Sequence, residues 1–150
     1  MIWKPNVTVA AVIEREGRYL MVEEVIGGKH VFNQPAGHLE PGESLIQAIT
    51  REVLEETGRD FEPRWLIAVS LWQASYQEKT FLRFTFTGKV SDKHTNLALD
   101  EEIIATHWLT RQALEERQSS LRSPLVLETI ASYESGQRYP LTLLQSFLPQ

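Results

Sequence analysis

Three glutamates recur at spacings of three and four residues in the second half of a predicted helix: Glu52, Glu55 and Glu56. If each residue rotates the helix by about 100°, the apolar side chains of this stretch gather on one side. Glu52 and Glu56 fall on that same side, and Glu55 lies at its edge. An ionised carboxylate is costly to bury unless a charge compensates it, and a bound cation is one such charge.

Glu43 precedes the helix and adds a fourth acid near its start. Oxygen donors in this number suit Mg²⁺ or Mn²⁺, hard cations that prefer carboxylates and retain water ligands. A glutamate-rich helix can also be simply solvated, because glutamate favours helices and charged faces commonly point to water. The metal-binding interpretation rests on the i, i+3, i+4 spacing, which lets Glu52, Glu55 and Glu56 converge on one ion cluster.

Both ends of the helix are marked in the sequence. Ser44 can accept hydrogen bonds from the free N–H groups of the first turn, and Gly58 can adopt the left-handed conformation that ends a helix. The sequence therefore predicts a helix over Leu45–Glu56, preceded by a Gly/Pro loop that begins at Gly37.

The whole pattern resembles the Nudix box of the Nudix hydrolase superfamily. Its fixed glycine, arginine and glutamate positions are matched by Gly37, Glu43, Arg51, Glu52, Glu55, Glu56 and Gly58. One position departs, because the superfamily prefers an aliphatic residue where this chain has Arg59, which lies beyond the helix and affects only local packing. The resemblance implies one Nudix hydrolase domain over residues 1–150, an α/β/α sandwich with a mixed β-sheet and a loop-helix catalytic motif.

Three further stretches resemble the NudJ phosphatase subfamily: Asn33–Glu40, Leu121–Val126 and Ser135–Leu141. This resemblance implies a phosphatase that hydrolyses phosphoanhydride bonds in nucleoside tri- and diphosphates and in hydroxymethylpyrimidine or thiamine pyrophosphate, releasing orthophosphate. The alternative is a Nudix pyrophosphohydrolase of nucleotide sugars, dinucleotides or capped RNA. A non-catalytic ligand-sensing Nudix domain is disfavoured, because such domains usually lose box glutamates and this chain retains them.

The reaction that the resemblance implies is attack of water on phosphorus, assisted by bound cations that neutralise phosphate oxygens and lower the pKa of water. We expect the three helix glutamates to be metal ligands, joined by the carbonyl of Gly37, since a glycine-rich loop permits close backbone approach. Arg51 lies off the carboxylate side and is expected to hold Glu43 in a bidentate pair, which orients the ligands. A surface salt bridge is the alternative role for Arg51.

Nudix enzymes take their general base either from the box or from a later loop. We expect Glu52 to be the base or the ligand that orients it. Glu102, from the acidic run Asp100–Glu102 before a predicted strand, is the competing candidate. A solvated turn with acids at the start of a strand accounts equally well for two of these three residues.

Three residues outside the box are candidates for substrate binding: Phe32, Arg83 and Arg122. Phe32 could stack on a base, although an aromatic residue in a strand more often packs in the core. Arg83 could reach a phosphate or form an ion pair. Arg122 and the run Gln137–Tyr139 lie in the subfamily-like stretches and could line the substrate end, although turns use similar residues. No histidine is assigned a role, because Mg²⁺ prefers oxygen.

The elements that must position these residues follow from the hydrophobic pattern. Before the box, two apolar runs joined by a turn at Arg15–Gly17 predict a hairpin, and a short extended segment covers Val31–Gln34. Three strands and two helices are predicted after the box. Together these elements are Val7–Glu14, Arg18–Val25, Trp65–Trp72, Phe81–Thr87 and Glu102–Leu109 as strands, with Arg111–Arg117 and Leu125–Tyr133 as helices. This order predicts a mixed sheet with helices on both faces.

Composition narrows the function classes. The 150-residue chain is 42% hydrophobic and 23% charged, which suits a single globular domain. It has no cysteine, which excludes disulfides, thiolate catalysis and cysteine-based zinc sites. A net charge of −5 argues against a nucleic-acid partner, and no apolar run approaches the length of a membrane span. We expect a cytoplasmic monomer or homodimer acting on a small nucleotide or pyrophosphate.

Overall fold

The computed structural model describes residues 1–94 and 96–149. Its helices are α1 (Leu45–Thr57), α2 (Arg111–Glu116) and α3 (Leu125–Glu134). Its strands are β1 (Asn6–Val12), β2 (Glu14–Arg15), β3 (Arg18–Ile26), β4 (Lys29–Asn33), β5 (Ala36–His38), β6 (Phe61–Gln73), β7 (Thr80–Val90), β8 (Ile103–Thr110) and β9 (Tyr139–Pro140). Every predicted element is present, and the largest difference is that β6 begins at Phe61 rather than at Trp65.

The strands divide between two sheets. The larger sheet is mixed and has the order β5-β1-β7-β6-β9, in which β1 and β7 run parallel and the other pairs run antiparallel. The second sheet is antiparallel, with β3 between β4 and β8 and with β2 paired to one end of β3. The sequence predicts the mixed sheet and the covering helices, but not this division.

The hairpin predicted between the first two apolar runs forms only at its tip. Glu14 pairs with Tyr19 and Arg15 with Arg18, around a turn in which Glu16 and Gly17 have φ values of 53° and 77°. The body of β1 instead pairs with β5 and β7 in the other sheet. The reason is burial. Val9–Val12 are all buried, and a strand in the centre of a sheet has both of its faces covered by other elements.

Helices cover both faces of the mixed sheet. On one face, α1 contributes to a core that also contains alternate residues of β1: Ala48, Ile49, Val53, Val9 and Ala11. On the other face, α2 and α3 contribute to a second core: Leu114, Val126, Ile130, Val12 and Ile67. Among the described residues, no helix is long and apolar enough to span a membrane. The fold is the α/β/α arrangement that the sequence predicts.

Candidate active site

Helix α1 is fixed at both ends, which sets where its glutamates point. The Ser44 hydroxyl accepts a hydrogen bond from the Gln47 N–H at 3.1 Å, and the Gln47 side chain accepts one from the Ser44 N–H at 2.8 Å. At the other end, Gly58 has a φ of 72° and donates its N–H to the Leu54 carbonyl at 2.9 Å. These are the two caps that the sequence predicts, and together they stabilise the helix termini.

Three carboxylates converge beside α1. Oxygen atoms of Glu52, Glu55 and Asp100 all lie within 4.8 Å of one another. Asp100 is brought there by its backbone, because its N–H donates to the Glu55 carbonyl at 3.0 Å. The sequence indicates a late acid among residues 100–102 and favours Glu102. The structure places Asp100 in the cluster instead, while Glu102 is exposed outside it.

Glu56 lies deeper than the other two helix glutamates. Only 6% of its surface is exposed, and its carboxylate accepts a hydrogen bond from the Ala36 N–H of β5 at 2.8 Å. Burial raises the pKa of Glu56 to about 9, and the negative charges of Glu52, Glu24 and Asp100 add to that rise. Glu56 therefore connects α1 to β5. It interacts electrostatically with Glu52 and Asp100, but it is not one of the three converging carboxylates.

Arg51 connects the loop to the cluster. Its Nε and Nη2 donate to the two oxygens of Glu43 at 3.0 and 2.7 Å, which is the expected bidentate pair. Its Nη1 donates to Glu52 at 2.8 Å and to Glu55 at 3.2 Å, and its Nη2 donates to the His38 carbonyl at 3.1 Å. The Arg51 side chain is largely buried, so its pair with Glu43 is not a salt bridge between two fully exposed side chains.

Gly37 lies directly against the Glu52 side chain. A Cβ atom at position 37 would overlap the Glu52 carboxylate. Gly37 is also held in β5, where it pairs with Val9 of β1. Position 37 must therefore be glycine for a steric reason, because any side chain there would prevent the Glu52 carboxylate from approaching the backbone.

The electrostatics of the site favour a divalent cation. Burial raises the pKa of Glu52 to about 7, against the opposing effect of Arg51, and the charges of Glu55 and Asp100 raise it further. Arg51 forms salt bridges with Glu52 and Glu55, and one guanidinium compensates only part of the negative charge of the three carboxylates. Carboxylate oxygens at this spacing, partly buried and short of positive charge, fit Mg²⁺ or Mn²⁺.

A further acid, Glu24, was not singled out from the sequence. It lies near the end of β3, is half-buried, and has a pKa raised by that burial. The charge of Arg122 lowers the pKa of Glu24, and that of Glu102 raises it. The charge of Glu24 in turn raises the pKa of Glu56. The sequence signal for Glu24 is weak, since it follows the buried run of β3 as an ordinary strand residue.

Phe32 occupies a packing position. It packs against the core beneath α3, with the His107 ring 5.6 Å away and the Arg117 guanidinium 6.0 Å from its ring centre. Its carbonyl accepts a hydrogen bond from the Arg122 N–H at 2.9 Å. The backbone of Phe32 therefore positions the segment that carries Arg122.

Arg83 is buried on the face of β7 that α3 covers, with 5% of its surface exposed. Its Nη2 donates to Gln34 Oε1 at 2.9 Å, and the Gln34 amide in turn donates to the Val126 carbonyl and the Thr129 hydroxyl. Nη1 has no hydrogen-bond partner within residues 1–94 and 96–149, and neither has the Thr85 hydroxyl. Desolvation lowers the pKa of Arg83 to about 10. The ion pair considered from the sequence is not formed by the described residues.

The other predicted substrate-end residues lie elsewhere. Arg138 stacks over the Tyr133 ring at 4.3 Å, beyond the end of α3, and Tyr139 pairs with Leu66 in β9. β9 lies at the edge of the mixed sheet opposite β5, the strand whose Gly37 lies against Glu52. The structure does not bring Arg138 or Tyr139 to the cluster.

Comparison with known proteins agrees with this geometry. The family model described as NUDIX domain matches residues 3–128. The chain is 44% identical over 147 residues to Phosphatase NudJ of Escherichia coli K12, which covers 97% of this chain and 94% of that protein. The same values hold for Phosphatase NudJ of Shigella flexneri.

Solved structures give the same result. A NUDIX hydrolase from Nitrosomonas europaea superimposes with a TM-score of 0.93 at 48% identity, covering 96% of this chain and 98% of that one. A MutT protein from Methanosarcina mazei Go1 superimposes with a TM-score of 0.71 at 22% identity, covering 92% and 100% of the two chains, which shows a shared fold.

Proposed function

Because the chain belongs to the Nudix family and is a NudJ-like hydrolase, we propose that it uses Mg²⁺ or Mn²⁺ to hydrolyse phosphoanhydrides and release orthophosphate. The proposed substrates are nucleoside tri- and diphosphates and hydroxymethylpyrimidine or thiamine pyrophosphate. The 44% identity to Phosphatase NudJ over nearly the whole chain supports this substrate class over other Nudix chemistry. The cytoplasmic location and the monomeric or homodimeric state stay predictions.

The observation that carries the proposal is the convergence of Glu52, Glu55 and Asp100 within 4.8 Å beside the Gly37 loop. We propose that these three carboxylates, with Glu56 behind them, hold the cation. Such an ion, when bound, neutralises phosphate oxygens and lowers the pKa of a ligated water. The Gly37 carbonyl stays a proposed additional ligand.

The protein's own groups have separate roles in this mechanism. Arg51 holds Glu52 and Glu55 in fixed orientations and ties both to the loop through Glu43, so the carboxylates need little reorganisation when substrate binds. Glu52 is the proposed base, or the group that orients it, because its carboxylate is buried and directed by Arg51. Glu102 is the competing base, and it would have to act from an exposed turn.

The proposed substrate end consists of Arg83 and Arg122, with Phe32 as a supporting residue. Arg83 Nη1 is a buried donor without a partner in the described chain, and such a group is costly unless a ligand satisfies it. The charge of Arg122 lowers the pKa of Glu24, whose own charge acts on Glu56, and the proposed role of Arg122 is to contact a phosphate. Phe32 positions Arg122 through its backbone, and ring stacking on substrate is the second role proposed for it.

A phosphate-release assay tests the proposed function. The proposed substrates (nucleoside di- and triphosphates and hydroxymethylpyrimidine or thiamine pyrophosphate) and ADP-ribose are each incubated with Mg²⁺ and one of three proteins. These are the wild type, Glu55→Gln and Glu101→Gln. Glu101 is the matched control, since it is an exposed acid next to Asp100. We expect orthophosphate from the di- and triphosphates, strongly reduced in Glu55→Gln and retained in Glu101→Gln. Cleavage of ADP-ribose without orthophosphate would contradict the substrate class and favour a pyrophosphohydrolase.

A further inference from the structure

A second cleft of about 340 Å³ lies near the ends of β1 and β7, against the segment that follows α3. Its volume falls within the range of small-molecule sites. The residues that matter for its chemistry come from five parts of the fold, namely β2, β6, β7, α3 and the segment after α3: Arg15, Arg64, Trp65, Lys89, Tyr133 and Arg138.

The lining of this cleft is basic although the chain carries a net charge of −5. Four lining side chains are cationic, against one acid, Glu14, among the lining residues. The Glu14 carboxylate is already engaged, since it accepts hydrogen bonds from the Tyr133 hydroxyl at 2.9 Å and from the Gly17 N–H at 2.8 Å. A concentration of positive charge in a concave, partly desolvated surface attracts anions.

The salt bridges that Arg64 and Arg15 form are long and solvent-exposed. Arg64 and Glu62 approach to 3.4 Å with both side chains more than half exposed, and Arg15 and Asp92 approach only to 3.9 Å. Pairs of this kind contribute little. Lys89 forms no salt bridge within the described part of the chain.

Arg138 is held in place for a role at the cleft. Its Nη1 donates to the Tyr133 carbonyl at 3.1 Å and to the Gln137 carbonyl at 2.8 Å, and its guanidinium lies 4.3 Å from the Tyr133 ring centre. These contacts fix the plane of the guanidinium without supplying a negative charge. In residues 1–94 and 96–149, no carboxylate pairs with Arg138.

Trp65 adds a flat apolar surface to the same cleft. Its side chain is on the cleft wall and is 42% exposed. Aromatic faces stack on planar rings, and Trp65 lines the same cleft as Arg64 and Lys89. The combination of these cationic side chains with one half-exposed aromatic ring suits a ligand that carries both a phosphate and a planar ring.

The cleft is separate from the carboxylate cluster. Gly37, at the cluster, pairs with Val9, whereas Ile13 lies at the cleft, so about 13 Å of strand separates the two along β1. They also lie against different helices, because the glutamates belong to α1 and Tyr133 belongs to α3, on the other face of the sheet.

We propose that this cleft is a second binding site for a phosphorylated small molecule. Lys89 and Arg138 contact the phosphate, Arg64 supplies charge at the border, and Trp65 stacks on a planar ring when the ligand has one. The ligand is either orthophosphate or a nucleotide, which share the phosphate chemistry. The proposal does not depend on the function proposed for the carboxylate cluster, and its test excludes that cluster.

The test is an NMR titration of the isotopically labelled Glu55→Gln protein in EDTA, where metal-dependent binding at the cluster is removed. The probes are inorganic phosphate, ribose 5-phosphate and AMP. We expect saturable shifts of the amides of 87–90 with every probe, and tighter binding of AMP than of ribose 5-phosphate. Trp65→Ala should remove that preference while leaving phosphate binding intact.

Charge is tested with a matched pair of lysines. Lys89→Ala should weaken phosphate binding roughly tenfold, the loss expected for one charge-assisted hydrogen bond. Lys79→Ala, an exposed lysine in the β6–β7 connection, should leave it unchanged. Arg64→Ala, at the exposed border, provides a second variant if Lys89→Ala alters the spectrum of the free protein. The proposal is overturned by an absence of saturable shifts at 87–90, or by equal affinities in the Lys89 and Lys79 variants.

Discussion

Substituting Gly37 by alanine tests how closely the loop and the catalytic helix must fit. The backbone of Gly37 is not in the left-handed region, so alanine brings no conformational strain of its own. Its Cβ would overlap the Glu52 carboxylate, and the Glu52 side chain must therefore move away. That movement would disrupt the 2.8 Å hydrogen bond from Arg51 Nη1 and shift a carboxylate of the cluster.

The size of the effect follows from this geometry. Overpacking of this kind is expected to lower the free energy of unfolding by about 1–3 kcal/mol. Displacement of a catalytic group by about 1 Å costs roughly 100-fold in kcat. We expect Gly37→Ala to show both losses, together with a weaker apparent affinity for Mg²⁺.

A double-mutant cycle assigns the stability loss to its cause. In a Glu52→Ala background the obstructing side chain is absent, so Gly37→Ala should change the free energy of unfolding by much less, as measured in urea. Gly88→Ala is the control, because its Cβ would meet the Glu62 backbone far from the cluster. That variant should lose stability while its folded fraction keeps its kcat. An equal cost of Gly37→Ala in both backgrounds would refute the steric account.

Three other predictions follow from the same contacts. A lysine at position 51 cannot keep both hydrogen bonds to Glu43 together with those to the cluster. We therefore expect Arg51→Lys to lower kcat about 10- to 100-fold with a small change in melting temperature. An unchanged kcat would mean that Arg51 does not position the carboxylates. Arg83→Met removes a buried cation, so we expect stability to be kept or raised and KM to rise; an unchanged KM would exclude Arg83 from substrate binding. Burial raises the pKa of Glu56 from 4.5 to about 9, so between these pH values the folded protein retains a proton that the unfolded chain has lost. In EDTA, the contribution of Glu56 to the free energy of unfolding should therefore fall as pH rises from about 4.5 to about 9. Melting curves should show that fall weakened in Glu56→Gln, and a Glu56→Gln protein with the same pH dependence would contradict it.

The parts of the site that are local in sequence could be predicted from it. Helix α1, its cap at Ser44 and its end at Gly58 follow from short-range backbone requirements. The grouping of the helix glutamates follows from helical periodicity. The pairing of Arg51 with Glu43 also follows, because both residues flank the first half of one helix.

The parts that depend on tertiary pairing could not be predicted. Asp100 reaches the cluster through a hydrogen bond to the Glu55 carbonyl, a contact across 45 residues that no spacing rule gives. The sequence therefore offers Glu102, not Asp100, as the candidate that competes with Glu52. Alternation placed Arg83 on one face of β7, but its burial results from α3 and Gln34 covering that face. Likewise, β1 is apolar on both faces, and burying both faces in the mixed sheet outweighs the local hairpin signal at Arg15–Gly17.

We propose that carboxylates from α1 and from the loop before β8 together hold the cation. We would measure Mn²⁺ binding by calorimetry in the wild-type protein, Asp100→Asn and Glu101→Gln, and orthophosphate release on the same samples. We expect Asp100→Asn to weaken Mn²⁺ binding at least several-fold and to reduce turnover at subsaturating metal, while Glu101→Gln behaves as the wild type. Wild-type Mn²⁺ affinity in Asp100→Asn would contradict a cation site shared between the helix and the loop.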